Sequence, residues 1–199
     1  MKKIVLATGN DHKTEEFNDL FADSEFKILS AVKFGGMPEV IEDGNTFQSN
    51  AYLKAYALSK QIDKKHWVIA DDSGLEVDHL AGAPGIYSAR YAGVGASDIE
   101  NMDKLLKNLK GLSKSERRAR FRCVLCLIDK DSGTYYFEGT CEGKIGLKPK
   151  GKFGFGYDPI FIPDGHKASF AELGESIKSQ LSHRARAVLA CKQFFKKKL

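Results

Sequence analysis

The stretch Trp67-Val68-Ile69-Ala70-Asp71-Asp72-Ser73-Gly74 joins an apolar run to two adjacent acids. Its first four residues have the length and β-branched content of a buried strand, so the acids are expected to emerge where that strand opens into a Gly-containing turn. Vicinal carboxylates in a strand or turn point in different directions. One of them can then serve chemistry while the other braces the loop or binds an ion. Carboxylates so placed are costly to desolvate without a cation or donor nearby. The position therefore predicts a hard divalent metal and an activated water.

Outward from this stretch, strands and helices alternate. Lys3–Thr8 reads as a strand ending at Gly9-Asn10, followed by a helix over about Lys13–Phe21 and a short strand, Phe26–Ser30. A loop carries Pro38, Glu42, Asp43 and Gly44, and Thr46 is an N-cap for a helix to about Gln61. Beyond the acids come a brief strand at 75–77, a turn at Gly82-Ala83-Pro84-Gly85, and a helix capped by Ser97 or Asp98. Two longer strands, about 119–129 and 134–146, are joined by the hairpin signal Asp131-Ser132-Gly133. A glycine-rich segment at 151–156, a strand at Ile160-Phe161-Ile162 and a helix over about His183–Lys197 complete the chain. The order predicts an α/β protein with a mixed sheet.

The 199 residues suit one large domain or one domain of two lobes, and 42% hydrophobic with 29% charged residues reads as globular. No apolar stretch approaches transmembrane length. The N-terminal run Met1–Leu6 gives way to Gly9-Asn10-Asp11-His12-Lys13, so no export signal is expected and the cytoplasm is the default. The net charge of +5 favours anionic ligands only weakly, and much of it sits in Lys192 and Lys196-Lys197-Lys198. A solvated helix end explains those lysines at least as well as a nucleic-acid tail. The alternating Arg117–Arg122 stretch reads as a solvated or subunit-facing edge rather than a basic stripe. Cys123 and Cys126 have CxxC spacing within a strand, where residues three apart face opposite sides. No shared metal is expected there, and all four cysteines read as core hydrophobes or surface thiols.

Four stretches have the makings of one site. Thr8-Gly9-Asn10-Asp11-His12-Lys13 places a Gly turn at a helix start, an anion-binding corner to which Lys13 adds a charge and Thr8 and Asn10 add donors. Glu42 with Asn50 and Lys54 offers a loop carboxylate and a helix lysine, for a metal and a phosphate respectively. Asp71-Asp72-Ser73-Gly74 supplies the carboxylates that Mg²⁺ prefers. It runs on to Ser88 and Arg90, which either face the site or fix the loop. Gly151–Pro159, with Lys178 and Ser182-His183-Arg184, interleaves glycines and aromatics so that a flat ligand can approach the backbone and stack.

Together these motifs closely resemble the inosine triphosphate pyrophosphatase family, enzymes that clear non-standard purine nucleotides. The resemblance rests on Thr8-Gly9-Asn10-x-x-Lys13, Ala70–Leu75, Gly82–Tyr91, Phe155–Phe161 and Leu181–Arg184, collinear from residue 4 to about 190. It implies a single domain over 1–199 with no separable linker, built as a long mixed central β-sheet flanked by helices, in two lobes with the active-site cleft between them. It further implies a cytoplasmic homodimer that uses Mg²⁺, with neither nucleic acid nor membrane as partner. Such enzymes hydrolyse ITP, dITP and XTP to the monophosphate and pyrophosphate. Carried over by position, Thr8, Gly9, Asn10, Asp11, His12 and Lys13 hold the triphosphate with help from Lys54. Glu42 and Asp72 bind the metal, Asp72 also accepts the proton, and Ser73 contacts substrate. Phe155, Gly156, Tyr157, Asp158, Lys178, His183 and Arg184 form the base pocket. Ser49 departs from the family, whose members often carry an acid before Asn50.

The implied chemistry matches these residue types. Lysines and Mg²⁺ offset the charge of a polyphosphate, and a carboxylate orients and deprotonates water. No Ser-His-Asp or Cys-His arrangement is needed, so direct hydrolysis is expected. Two other readings remain open on the residues alone. One is a pyrophosphatase acting on a different modified base. The other is a non-enzymatic nucleotide or nucleic-acid binder using Arg117–Arg122 and the lysine tail, although the acidic turn argues against it.

Overall fold

The computed structural model describes residues 2–198. Met1, which opens the apolar N-terminal run, lies outside them, as does Leu199. Along the chain come β1 (Lys2–Leu6), α1 (Asp11–Phe21), β2 (Phe26–Ser30), α2 (Phe47–Gln61), β3 (Trp67–Val77) and α3 (Asp98–Asn108). These are followed by β4 (Arg118–Ile128), β5 (Thr134–Ile145), β6 (Phe161–Pro163), α4 (Phe170–Leu173), α5 (Glu175–Leu181) and α6 (His183–Lys198). The strands form a sheet in the order β2-β1-β3-β4-β5-β6. β1 runs parallel to both β2 and β3, whereas β5 and β6 are antiparallel. The fold is α/β with a mixed sheet flanked by helices.

The chain divides into two compact units. One comprises the stretch up to Asp72, Cys123–Gly139 and the stretch from Ala185 onward; the other comprises Ser73–Arg122 and Thr140–Arg184. In the first unit the alternation of β1 sorts side chains onto two faces. Ile4 and Leu6 join Phe17 and Phe21 of α1 and Val188 and Phe195 of α6, while Val5 packs with Ala51, Ala55 and Leu58 of α2. Cys123 belongs to the first of these clusters and Cys126 to the second, so the CxxC pair straddles the sheet as its spacing requires. In the second unit, Leu75, Val77, Phe121, Phe161 and Phe170 pack with Met102 and Leu105 of α3.

Three differences from the sequence reading have physical causes. The acids do not sit in a turn: the expected strands at 67–70 and 75–77 are one eleven-residue strand, β3, and Asp71 and Asp72 lie within it, buried. Burying two adjacent carboxylates is tolerable because each has a lysine partner, described below. α1 starts at Asp11 rather than Lys13, because the Asn10 side chain accepts from Lys13 N and caps it. The short helices α4 and α5 were not anticipated; the Ser169–Glu172 capping box that starts α4 spans only one turn of sequence.

The arginine stretch is not an edge, since β4 lies inside the sheet between β3 and β5, and its partly exposed charges are matched by acids. Arg117 is buried and donates to the carbonyls of Leu109, Ile145 and Gly146 at 2.7, 2.9 and 2.7 Å. Arg118 forks onto Asp164, and Arg120 pairs with Asp78 and Glu142. In the lysine tail, Lys198 donates to Asp129 at 2.8 Å and also contacts Tyr135, which fastens the end of α6 to the 129–133 connection.

Candidate active site

In the first unit, the turn from β1 into α1 is shaped by its own side chains. Thr8 Oγ1 accepts from Asn10 N at 3.1 Å and Asn10 Oδ1 accepts from Lys13 N at 3.1 Å. The side-chain oxygens of Thr8 and Asn10 therefore build the turn, in bonds that do not use the Thr8 hydroxyl proton or the Asn10 amide group, the donors expected to serve a ligand. Gly9, Asn10, Asp11 and His12 are exposed around it, and no atom stands within 4 Å of where a Cβ on Gly9 would lie. Lys13 points back into the fold, where its Nζ lies 3.0 Å from Asp71 Oδ1.

α2 begins at a capping box. Thr46 accepts from Ser49 N at 3.0 Å, and Ser49 Oγ accepts from Thr46 N at 3.1 Å. Position 49 is the third residue of the helix, where an acid performs the same capping. The departure at Ser49 thus alters the helix start and leaves the charged cluster intact. Further along the helix, Lys54 Nζ lies 3.0 Å from Glu42 Oε2 and 2.6 Å from Asp72 Oδ1. Asp72 Oδ2 is buried and has no hydrogen-bond partner among the described residues. Asn50, one turn before Lys54, is buried with neither amide atom partnered among the described residues, and a Cβ on Gly44 would lie 2.5 Å from its Oδ1.

Glu42, Asp71 and Asp72 thus face two ammonium groups, which leaves one negative charge in excess. Burial pushes the Asp72 carboxyl above the usual carboxylate range, against the pull of Lys54 and Lys13. Burial opposes the Lys54 charge most strongly, yet Asp72, Asp71 and Glu42 together raise its pKa above the ordinary lysine value. Among the described residues no three His, Cys, Asp or Glu side chains gather into a closed metal centre. What exists is a pair of carboxylates already converging on one cation, with a buried oxygen to spare. That donor set fits Mg²⁺, which takes one or two carboxylates and fills its remaining positions with water and phosphate oxygens.

The second unit gathers the rest of the expected residues. Asp158 Oδ2 accepts from Lys178 Nζ at 2.8 Å and from Phe155 N at 3.0 Å. Lys178 Nζ lies 4.6 Å, and the Arg184 guanidinium carbon 6.0 Å, from the centre of the Phe155 ring. Arg184 also donates to Ser73 Oγ at 3.0 Å, and His183 stacks on Phe121 at 4.8 Å. The result is a half-buried aromatic ring flanked by cations, with planar and donor groups around it. Tyr157 differs from expectation: it is buried, and its hydroxyl donates to Ser88 O at 2.9 Å, so it braces the pocket's loop. Ser88 is likewise structural, accepting from Leu75 N and donating to Gly85 O, while Arg90 lies over the Tyr87 ring.

One contributor has no local sequence signal. Asp98 accepts from Gly156 N at 2.6 Å and anchors the glycine loop to the start of α3. From sequence it was only a rival to Ser97 as helix cap, and Ser97 holds that role. Asp71 was anticipated only as a brace or ion ligand, and its lysine partner comes from a helix 58 positions earlier in the chain.

A dITP/XTP pyrophosphatase of Opitutus terrae is 50% identical over 191 residues, 93% of this chain and 94% of its own. The Staphylococcus aureus Ham1 protein superposes with a TM-score of 0.87 at 41% identity, covering 100% of both chains. A nucleoside-triphosphatase/dITP/XTP pyrophosphatase of Mycobacterium abscessus gives 0.76 at 36% identity, over 95% of this chain and 98% of its own. The sequence pattern of the Ham1 family matches residues 4–194. With a family match over nearly its whole length and relatives of this similarity, the chain belongs to the Ham1 family.

Proposed function

We propose that this chain is a nucleoside-triphosphate pyrophosphatase that hydrolyses dITP, ITP and XTP to the monophosphate and pyrophosphate, removing them from the nucleotide pool. The observation that carries this reading is the buried Asp72 carboxylate, one oxygen on Lys54 and the other unpartnered, beside two lysines suited to a polyphosphate. Relatives named dITP/XTP pyrophosphatases support the substrate class. Glu42 and Asp72 would hold Mg²⁺, which when bound offsets phosphate charge and makes a nearby water more acidic.

Asp72 accepts the proton of the attacking water through Oδ2, and its raised pKa brings it closer to the range useful for that task. Lys13 and Lys54 neutralise charge on the polyphosphate, while the exposed turn at residues 9–12 offers backbone N–H groups at the start of α1. No covalent intermediate is required. In the base pocket, Phe155 supplies the stacking face, and Asp158 fixes both the Lys178 ammonium and the Phe155 backbone. A purine bearing oxygen at position 6 accepts hydrogen bonds from donors drawn from Lys178, His183 and Arg184. Adenine presents an amino donor there instead, and a buried donor left unpaired costs about 1–3 kcal/mol. Mg²⁺ as the physiological metal, a cytoplasmic location and a homodimeric assembly belong to the same proposal.

The test is turnover of a panel of dITP, XTP, ATP, GTP and dUTP with Mg²⁺, identifying the phosphate product. Pyrophosphate released from dITP and XTP well ahead of ATP supports the reading. Orthophosphate as product, or rapid use of dUTP with none of dITP, overturns it.

A further inference from the structure

The Glu42–Asp72 pair already has a resident cation. The Lys54 ammonium lies at 3.0 Å from one carboxylate and 2.6 Å from the other, and the residue is only 9% exposed. Those are the two side chains to which the proposed function assigns a divalent metal. With Asp72 Oδ2 left for the attacking water, a metal held by Glu42 and Asp72 would take Asp72 Oδ1, the oxygen that Lys54 now holds; an ammonium and a metal on one oxygen would stand in contact, with like charges and little water between. The base of Lys54 cannot yield, because α2 is fixed by its capping box and by Ala51, Ala55 and Leu58 in the core. Its four-carbon stem can.

Resting on that reading of the site, we infer that Lys54 is an exchangeable counter-ion for Glu42 and Asp72: entry of a divalent cation displaces its ammonium, which is then free to meet the polyphosphate. The same lysine thus keeps the carboxylates neutralised before substrate arrives and becomes a phosphate ligand after the metal binds. Metal and nucleotide binding reinforce each other as a result. Metal without nucleotide strands an ammonium in a buried site, and nucleotide without metal finds Lys54 held by two acids. Lys13 shows a parallel resting state on Asp71. Asp71 is not one of the carboxylates assigned to the metal, so that pair need not open when the ion enters.

Mn²⁺ titration of the full chain without nucleotide, followed by electron paramagnetic resonance of the free ion, tests this directly. Removing the positive charge with Lys54→Met is expected to tighten Mn²⁺ binding by about tenfold or more, and Lys54→Gln to do the same. Lys54→Arg, which keeps the charge, is expected to leave binding as weak as in the wild type. A non-hydrolysable purine triphosphate should raise Mn²⁺ affinity more in the wild type than in Lys54→Met. Should the neutral variants not fold, the lysine Cε resonance of Lys54 in the wild-type protein is expected to shift as Mg²⁺ saturates. The inference is overturned if the folded neutral variants bind Mn²⁺ no more tightly than wild type, or if the resonance is unmoved while metal binds. Because the titration needs no turnover, it can fail while dITP hydrolysis stands. It can equally succeed if the substrate assignment is wrong.

Discussion

Replacing Asp72 with Asn removes one charge and almost nothing else. The amide oxygen keeps the volume and the acceptor that meets Lys54 Nζ at 2.6 Å, while the unpartnered oxygen is replaced by a group that cannot take a proton. Two acids then face two lysines, so the cluster loses its excess negative charge and the folded state is not expected to weaken. Loss of a positioned base costs about 10²–10⁴ in rate, equivalent to about 3–5 kcal/mol of transition-state stabilisation. Loss of a metal ligand places the effect towards the upper end. Nucleotide affinity should be kept or improved, because a negative charge has left the neighbourhood of a polyanion. Single-turnover pyrophosphate release from dITP gives the rate, calorimetry with a non-hydrolysable analogue gives the affinity, and thermal unfolding checks the fold. A folded Asp72→Asn enzyme within tenfold of wild-type kcat would refute the assignment of the base.

Four further outcomes follow from the same contacts. Lys13→Ala should raise KM for dITP and also destabilise the fold by about 3–5 kcal/mol, because Asp71 is left charged and buried; adding Asp71→Asn should restore the melting temperature without restoring KM. The acid limb of kcat/KM should lie above the ordinary aspartate value, since Asp72 must lose its proton to act and burial raises its pKa. Higher Mg²⁺ should move that limb to lower pH by favouring the ionised form, and a limb insensitive to metal would count against Asp72 as the titrating group. Phe155→Ala should weaken substrate binding by about 1–3 kcal/mol through lost stacking, read as KM for dITP with kcat less affected. Arg117→Lys, which cannot reproduce three simultaneous bonds to Leu109, Ile145 and Gly146, should lower stability by about 1–3 kcal/mol in a denaturant titration with no change in KM.

The parts of this molecule legible in its sequence are those set by neighbours along the chain. Thr46 and Ser97 announce their helices because capping is a three-residue event, and the opposed faces of Cys123 and Cys126 follow from strand alternation. The class of fold followed from the order of such elements. What escaped local reading depends on residues far apart. β3 continues through Asp71 and Asp72 only because Lys13 and Lys54 reach them from two different helices, so the tetrapeptide alone reads as a turn. The arginines of β4 look like a solvated or subunit-facing edge until Asp78, Glu142 and Asp164 are brought beside them. Nothing near Tyr157 in the sequence announces that its hydroxyl donates to Ser88 O. In the candidate site, residue types gave the chemistry and pairing gave the resting state. Lysines suited to phosphate are found instead on the protein's own carboxylates.

The most direct measurement is anomalous diffraction from crystals of the wild-type protein holding Mn²⁺ and a non-hydrolysable dITP analogue. The account predicts a manganese peak coordinated by Glu42 and Asp72, the phosphate chain on Lys13 and Lys54, and the hypoxanthine ring against Phe155. A metal or phosphate chain bound away from Asp72 would contradict it.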